Sequence, residues 1–153
     1  MVFTTTASTP PQTSSIDPHV HYLIENMGTG SCLSYGWVVS SSTDPSPCKD
    51  RADTDGWQYY IPQSDGTFEL LNKVGGYCLG EQSIKGGTPV VASCNGARGQ
   101  QWRRGYATSD GGSFVNVESG LCLAATGPGD SGTIELESCD KQPNELWQND
   151  GTI

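Results

Sequence analysis

Residues 75–102 read GGYCLGEQSIKGGTPVVASCNGARGQQW, from Gly75 to Trp102. The stretch opens on a Gly-Gly turn and reaches Cys78-Leu79. It carries a short apolar run from Pro89 to Ala92 and closes through Cys94 on Gln100-Gln101-Trp102. The same skeleton recurs on both sides. Tryptophans stand at Trp57, Trp102 and Trp147, so both intervals are 45. First cysteines stand at Cys32, Cys78 and Cys122, and second cysteines at Cys48, Cys94 and Cys139. A leucine follows each first cysteine (Leu33, Leu79, Leu123). Glycine sits two before it (Gly30, Gly76, Gly120) and asparagine six before it (Asn26, Asn72, Asn116). So many classes of position repeating together mark three copies of about 45 residues.

Each copy has one physical logic. An apolar-rich strand (Tyr22-Leu23-Ile24, Phe68 to Leu71, Phe114 to Val117) runs into a turn whose glycine supplies backbone angles that a side chain would resist. The Cys-Leu strand follows, then a variable loop, a third strand ending at the second cysteine, and a polar loop leading to the tryptophan. No window offers helical periodicity over three turns. One copy exposes its apolar face; three close a shared core. The expected fold is all-β, a β-trefoil with pseudo-threefold symmetry. The C-terminal residues from Asn149 are expected beside the first strand.

The Cys-Leu, Gly-Thr-Pro-Val, second Cys and Gln-x-Trp pattern resembles the ricin B-chain-type lectin domain. The middle copy, with Gln100-Gln101-Trp102, is the best match, and the resemblance spans roughly Val20 to Gln148. It implies non-catalytic binding of a glycan or glycoprotein.

The 153 residues suit one domain, and glycine is abundant at 20. Net charge is −9. That argues against a nucleic-acid partner, whose phosphates need a basic face. Anionic membrane surfaces are disfavoured likewise, and no apolar stretch is long enough to insert.

Six cysteines allow fifteen connectivities. The repeat breaks that degeneracy, because each pair recurs within one copy: Cys32–Cys48, Cys78–Cys94 and Cys122–Cys139. Disulfides point to an oxidising compartment, hence a secreted protein. No C-x-x-C or Cys/His cluster occurs, so neither metal nor cofactor is expected. His19 and His21 share one face of an extended lead-in without a third ligand nearby.

Residues 1–18 are Thr/Ser/Pro-rich and read as a flexible tail, with the trefoil over 19–153. The tail lacks the basic start and apolar run of a signal peptide. Some fungal lectins that resemble this family lack a signal, so a cytoplasmic origin stays open. Such a tail also suits a linker to a larger enzyme.

The resemblance implies a sugar pocket in each copy. An Asp stands two after the first cysteine, an aromatic two before the second, and an Asn just ahead of the Gln-x-Trp glutamine. The carboxylate accepts hydroxyls, the ring stacks on C–H groups and the amides orient the ligand. This chain departs from that set. The Asp position holds Ser34, Gly80 and Ala124; the aromatic position holds Ser46, Ala92 and Glu137. The Asn position holds Thr54, Gly99 and Asn144; the glutamine position holds Asp55, Gln100 and Glu145. The usual galactose pocket is therefore expected to be absent from all three copies.

Replacement contacts are sought nearby. Candidates are Tyr35, Trp37 and Asp50 in the first copy, Glu81, Asn95 and Gln100 in the second, and Asp130, Asn144 and Glu145 in the third. Gln100 has a rival reading as a backbone ligand, and the recurring tryptophans and asparagines read as core and turn residues. Glu135 and Glu137 share a strand face and mimic a glycosidase pair, but no cleft is evident to raise a pKa. No enzyme is expected. The alternatives are a trefoil that has lost sugar binding and holds a protein partner, as a hydrolase inhibitor or assembly subunit, and a binding module cut from a glycoside hydrolase.

Overall fold

The computed structural model describes residues 17–34, 37–39, 56–73, 76–81, 89–108, 111–126 and 133–152, and for 37–39 the backbone alone. Each copy contributes four strands. In the first these are β1 (Tyr22–Asn26), β2 (Cys32–Ser34), β3 (Trp37–Val39) and β4 (Gly56–Tyr60). In the second they are β5 (Glu69–Asn72), β6 (Tyr77–Glu81), β7 (Pro89–Ser93) and β8 (Trp102–Ala107). In the third they are β9 (Gly112–Asn116), β10 (Cys122–Thr126), β11 (Thr133–Glu137) and β12 (Trp147–Thr152).

Six of these strands close a ring. β1 pairs with β4 and β12, β4 with β5, β8 with β9, and β9 with β12, all antiparallel. β5 meets β8 where Phe68 and Trp102 exchange backbone hydrogen bonds of 2.9 and 2.8 Å. The three hairpins β2–β3, β6–β7 and β10–β11 each join the ring through one neighbouring strand. Barrel and hairpins form the β-trefoil, and closure removes the free edges of the ring. The C-terminal strand lies beside the first, with Tyr22 opposite Thr152 and Asn26 opposite Trp147.

Alternation sets the faces. Along β11, Ile134 and Leu136 turn inward while Thr133 and Glu135 face solvent. Trp57, Trp102 and Trp147 are fully buried. Each donates its indole N–H across 3.0 Å, to the carbonyls of Leu33, Leu79 and Leu123 in turn. The tryptophans are thus core residues with a satisfied polar atom, as buried indoles require.

The turns are equally symmetric. Gly30, Gly76 and Gly120 hold φ of 74°, 65° and 75°, a region that Cβ-bearing residues resist. Asn26 Oδ1 accepts the amides of Gly28 and Thr29, both at 3.0 Å; Asn116 Oδ1 accepts those of Glu118 and Ser119 at 3.0 and 3.2 Å. The same side chains reach into the preceding copy around the ring. Asn26 Nδ2 donates to Asn144 O at 2.8 Å, and Asn116 Nδ2 to Gly99 O at 2.9 Å.

Disulfides join Cys78 to Cys94 and Cys122 to Cys139, each inside its own copy. Cys48 lies outside the described residues. So do residues 1–16 of the expected tail, whereas Asp17 and Pro18 contact the barrel. Asp17 donates its N–H to Tyr22 Oη at 3.0 Å, and the Pro18 carbonyl accepts from Gln58 Nε2. Among the described residues no helix is long and apolar enough to cross a membrane.

One end of the barrel holds a network that no motif announces. Arg104 sets its guanidinium 4.0 Å from the Phe114 ring centre and donates to Tyr59 Oη, Gly112 O and Trp147 O at 3.0, 2.8 and 3.2 Å. Tyr59 in turn donates to Asn149 Oδ1 at 2.7 Å.

Candidate functional site

In the second and third copies the pocket positions lie where the first-cysteine strand meets the turn ahead of the tryptophan. Ser34, Gly80 and Ala124, at the Asp position, are all buried. In the second copy the reason is steric. A Cβ on Gly80 would sit 2.8 Å from Gln100 Cγ and 3.0 Å from Gly99 O. No carboxylate fits there unless Gln100 moves.

Gln100 itself is engaged at both ends of its amide. Nε2 donates to Ser93 O and Oε1 accepts the N–H of Asn95, both at 2.9 Å. It ties the end of β7 to the 3-10 turn Arg98–Gln100, so the backbone role is the one it fills. Asn95 is exposed, and its Oδ1 accepts the Ala97 amide at 2.9 Å. Ala92, at the ring position, is exposed and offers nothing to stack on. Glu81 is different. It is half-buried at the end of β6, and its Oε1 is buried without a hydrogen-bond partner. Gly99 adjoins it: a Cβ there would lie 4.0 Å from Glu81 Cβ.

The third copy carries charge where the family pattern has a ring and an amide. Glu137 is half-buried on β11, and Glu145 is fully buried in the 3-10 turn Pro143–Glu145. Glu145 Oε1 accepts the amides of Asp140 and Lys141 at 3.0 and 3.3 Å. Its Oε2 is buried and has no partner. Burial, reinforced by the carboxylates of Asp140 and Glu137, pushes the Glu145 carboxyl up to about 7. Asn144 donates Nδ2 to Ala125 O at 3.1 Å, while its own carbonyl receives Asn26 from the first copy.

In the first copy Tyr35 and Asp50 fall outside the described residues, as does Asp130 in the third. Trp37 is placed by its backbone, opposite Ser34 on β3. The structure thus brings Gln100 and Asn95 together as turn ligands, leaves Glu81 with an unused oxygen, and gathers Glu145 with two acids. The sequence reading missed that gathering. Its signal was present: Glu137 at the ring position, Glu145 at the glutamine position and Asp140 directly after Cys139.

Residues 20–147 match the sequence model of the family described as ricin-type beta-trefoil lectin domain. No curated protein sequence matches the chain. Among solved structures, the designed threefold-symmetric protein ThreeFoil aligns with a TM-score of 0.71 at 20% identity, over 86% of this chain and 99% of that one. A Polyporus squamosus lectin bound to a human-type influenza-binding epitope aligns at 0.69 and 16% identity, over 88% of this chain and 49% of the lectin. An exo-β-1,3-galactanase from Clostridium thermocellum aligns at 0.71 and 16% identity, over 88% of this chain and 30% of the enzyme. At these identities the structural likeness establishes the fold alone.

Proposed function

The chain belongs to the ricin-type β-trefoil lectin family, and from that premise we propose that it is a non-catalytic glycan-binding domain whose sugar contacts have departed from the usual set. One contrast carries the reading. The frame is intact, with three equivalent indole-to-carbonyl bonds of 3.0 Å, while the Asp position holds Ser34, Gly80 and Ala124. Glycan contact then falls to groups the frame leaves unused. Glu81 is the best described of these: its side chain is half-buried, and its buried Oε1, which has no internal partner, must turn outward to accept from a ligand. Tyr35, Trp37, Asp50, Asn95 and Asp130 are the further candidates. Sites of this kind are shallow and polar and bury little apolar surface, so affinity per site is about millimolar. The disulfides favour an extracellular setting.

The test is a broad glycan array at high protein concentration, then titration of any hit against Glu81→Gln and Trp37→Ala. Loss in one variant alone assigns the site to its copy. Binding to no glycan removes the reading.

A second reading is favoured by the contact of Gln100 with Gly80, which fills the second copy's pocket. On it, the trefoil has lost sugar binding and holds a protein partner through its loops. A glycan-negative array with a specific protein captured from the source secretome would support this. The partial match to a galactanase keeps the hydrolase-module reading alongside, and the sequence context of the full gene decides it.

A further inference from the structure

The third copy concentrates negative charge in a way the trefoil frame does not require. One carboxylate oxygen from each of Glu137, Asp140 and Glu145 lies within 4.8 Å of the other two. Glu145 is fully buried, and its Oε2 has no hydrogen-bond partner. In the second copy the same place is held by Gln100, whose Nε2 donates to Ser93 O. The third copy therefore puts an acceptor where the frame has a donor, then sets two more acceptors beside it. Like charges at that range, one of them desolvated, repel strongly unless something neutralises them. Among the described residues no cation pairs with any of the three. The nearest in sequence, Lys141, sends its ammonium 5.0 Å over the Tyr106 ring.

We propose that Glu137, Asp140 and Glu145 form a binding site for a hard divalent cation of the calcium class. The donors are carboxylate oxygens, which such ions prefer. The neighbouring sulfur, Cys139, is held in a disulfide and offers no thiolate. Calcium sits about 2.3–2.6 Å from its ligands, so oxygens up to roughly 5 Å apart share one ion. Glu145 anchors the ion from the core, while half-buried Glu137 and exposed Asp140 hold it from outside. Water completes the shell on the open side. With three protein carboxylates the site belongs with weak extracellular ones, at a Kd of about 10⁻⁴–10⁻³ M. The inference goes beyond the glycan reading and stands or falls separately, because no sugar takes part in it.

The experiment is calorimetric titration of the full chain with calcium chloride, just above neutral pH after chelator treatment, with thermal melts in parallel. One saturable site is expected. Its affinity falls about tenfold or more in Glu145→Gln and in Glu137→Gln. It is unchanged in Glu135→Gln, whose side chain is exposed on the same strand. Glu145→Gln reproduces the second copy's donor and stays folded, so its loss of binding reports on the site. The proposal is overturned by absence of saturable binding up to about 10 mM calcium, by binding that survives both site variants, or by a melting temperature that answers to pH but not to calcium.

Discussion

Gln100 and Glu145 occupy equivalent places in consecutive copies, yet their outer atoms behave in opposite ways. Nε2 of Gln100 donates to Ser93 O at 2.9 Å, whereas Oε2 of Glu145 is buried with nothing to bond. Their inner atoms agree. Each accepts a backbone amide from the residue just after the second cysteine, Asn95 in one copy and Asp140 in the other. The frame keeps the shared bond and varies the other.

Glu145→Gln is accordingly expected to stabilise the metal-free protein at neutral pH. An unsatisfied buried group costs about 1–3 kcal/mol, and the amide removes both the charge and the orphan acceptor. For a chain of this size each kcal/mol moves Tm by about 2–4 °C. Thermal melts in chelator measure it, and a variant no more stable than the parent contradicts the account. Glu145→Ala gives the opposite sign, because the amides of Asp140 and Lys141 lose their acceptor.

Asn116 tests the stitching between copies. It is fully buried and serves two turn amides with one atom and Gly99 O with the other. Asn116→Ala strands all three groups and should cost roughly 2–4 kcal/mol in urea unfolding. A cost under about 0.5 kcal/mol, the range of ordinary surface changes, would mean that the turn and the neighbouring copy are held by other contacts.

Gly80→Asp restores the family's carboxylate on paper and is expected to fail in practice. The new Cβ meets Gln100 Cγ at 2.8 Å, so overpacking costs about 1–3 kcal/mol and no sugar affinity appears. The added change Gln100→Ser removes the closest contact and leaves the Gly99 carbonyl at 3.0 Å, and the pair should be less damaging than the two single costs added together. Strict additivity in that double-mutant cycle would show that the two positions do not contact each other in solution.

The fold was legible because the three copies annotate one another. A single cysteine, glycine or tryptophan says little, but positions that recur at 45-residue spacing must share one environment, and the indole-to-leucine bonds supply it. The site was less legible for the same reason. A departure from the pattern, such as Glu137 or Gly80, shows that a role is lost and not what replaces it. Glu137, Asp140 and Glu145 stand close together in sequence, but that their carboxylates converge depends on how the turn before Trp147 folds back onto β11. Arg104 belongs with these: it has no counterpart motif, and from the second copy it reaches partners in the first and the third.

Glu69 yields a prediction with a definite sign in pH. It is only 5% exposed, in a place held by Leu23 in the first copy and Ser113 in the third. Its Oε1 lies 3.3 Å from Cys78 Sγ, a disulfide sulfur with no proton to offer. Burial therefore raises its carboxyl above the ordinary 4.5. Glu25 is also raised, first by burial and then by Asp150, against the lowering effect of the Gln148 amide. A raised folded pKa means that the folded state holds the proton more tightly than the unfolded chain. The associated stability is complete below about pH 4.5 and is lost as pH climbs through the raised values. Unfolding free energy should thus decline from mildly acid pH toward neutrality. Glu69→Gln, which cannot titrate, should flatten part of that decline and leave the acid end little changed. Urea unfolding of both proteins across that range is the measurement, and parallel curves would show that Glu69 is already solvated in the folded state.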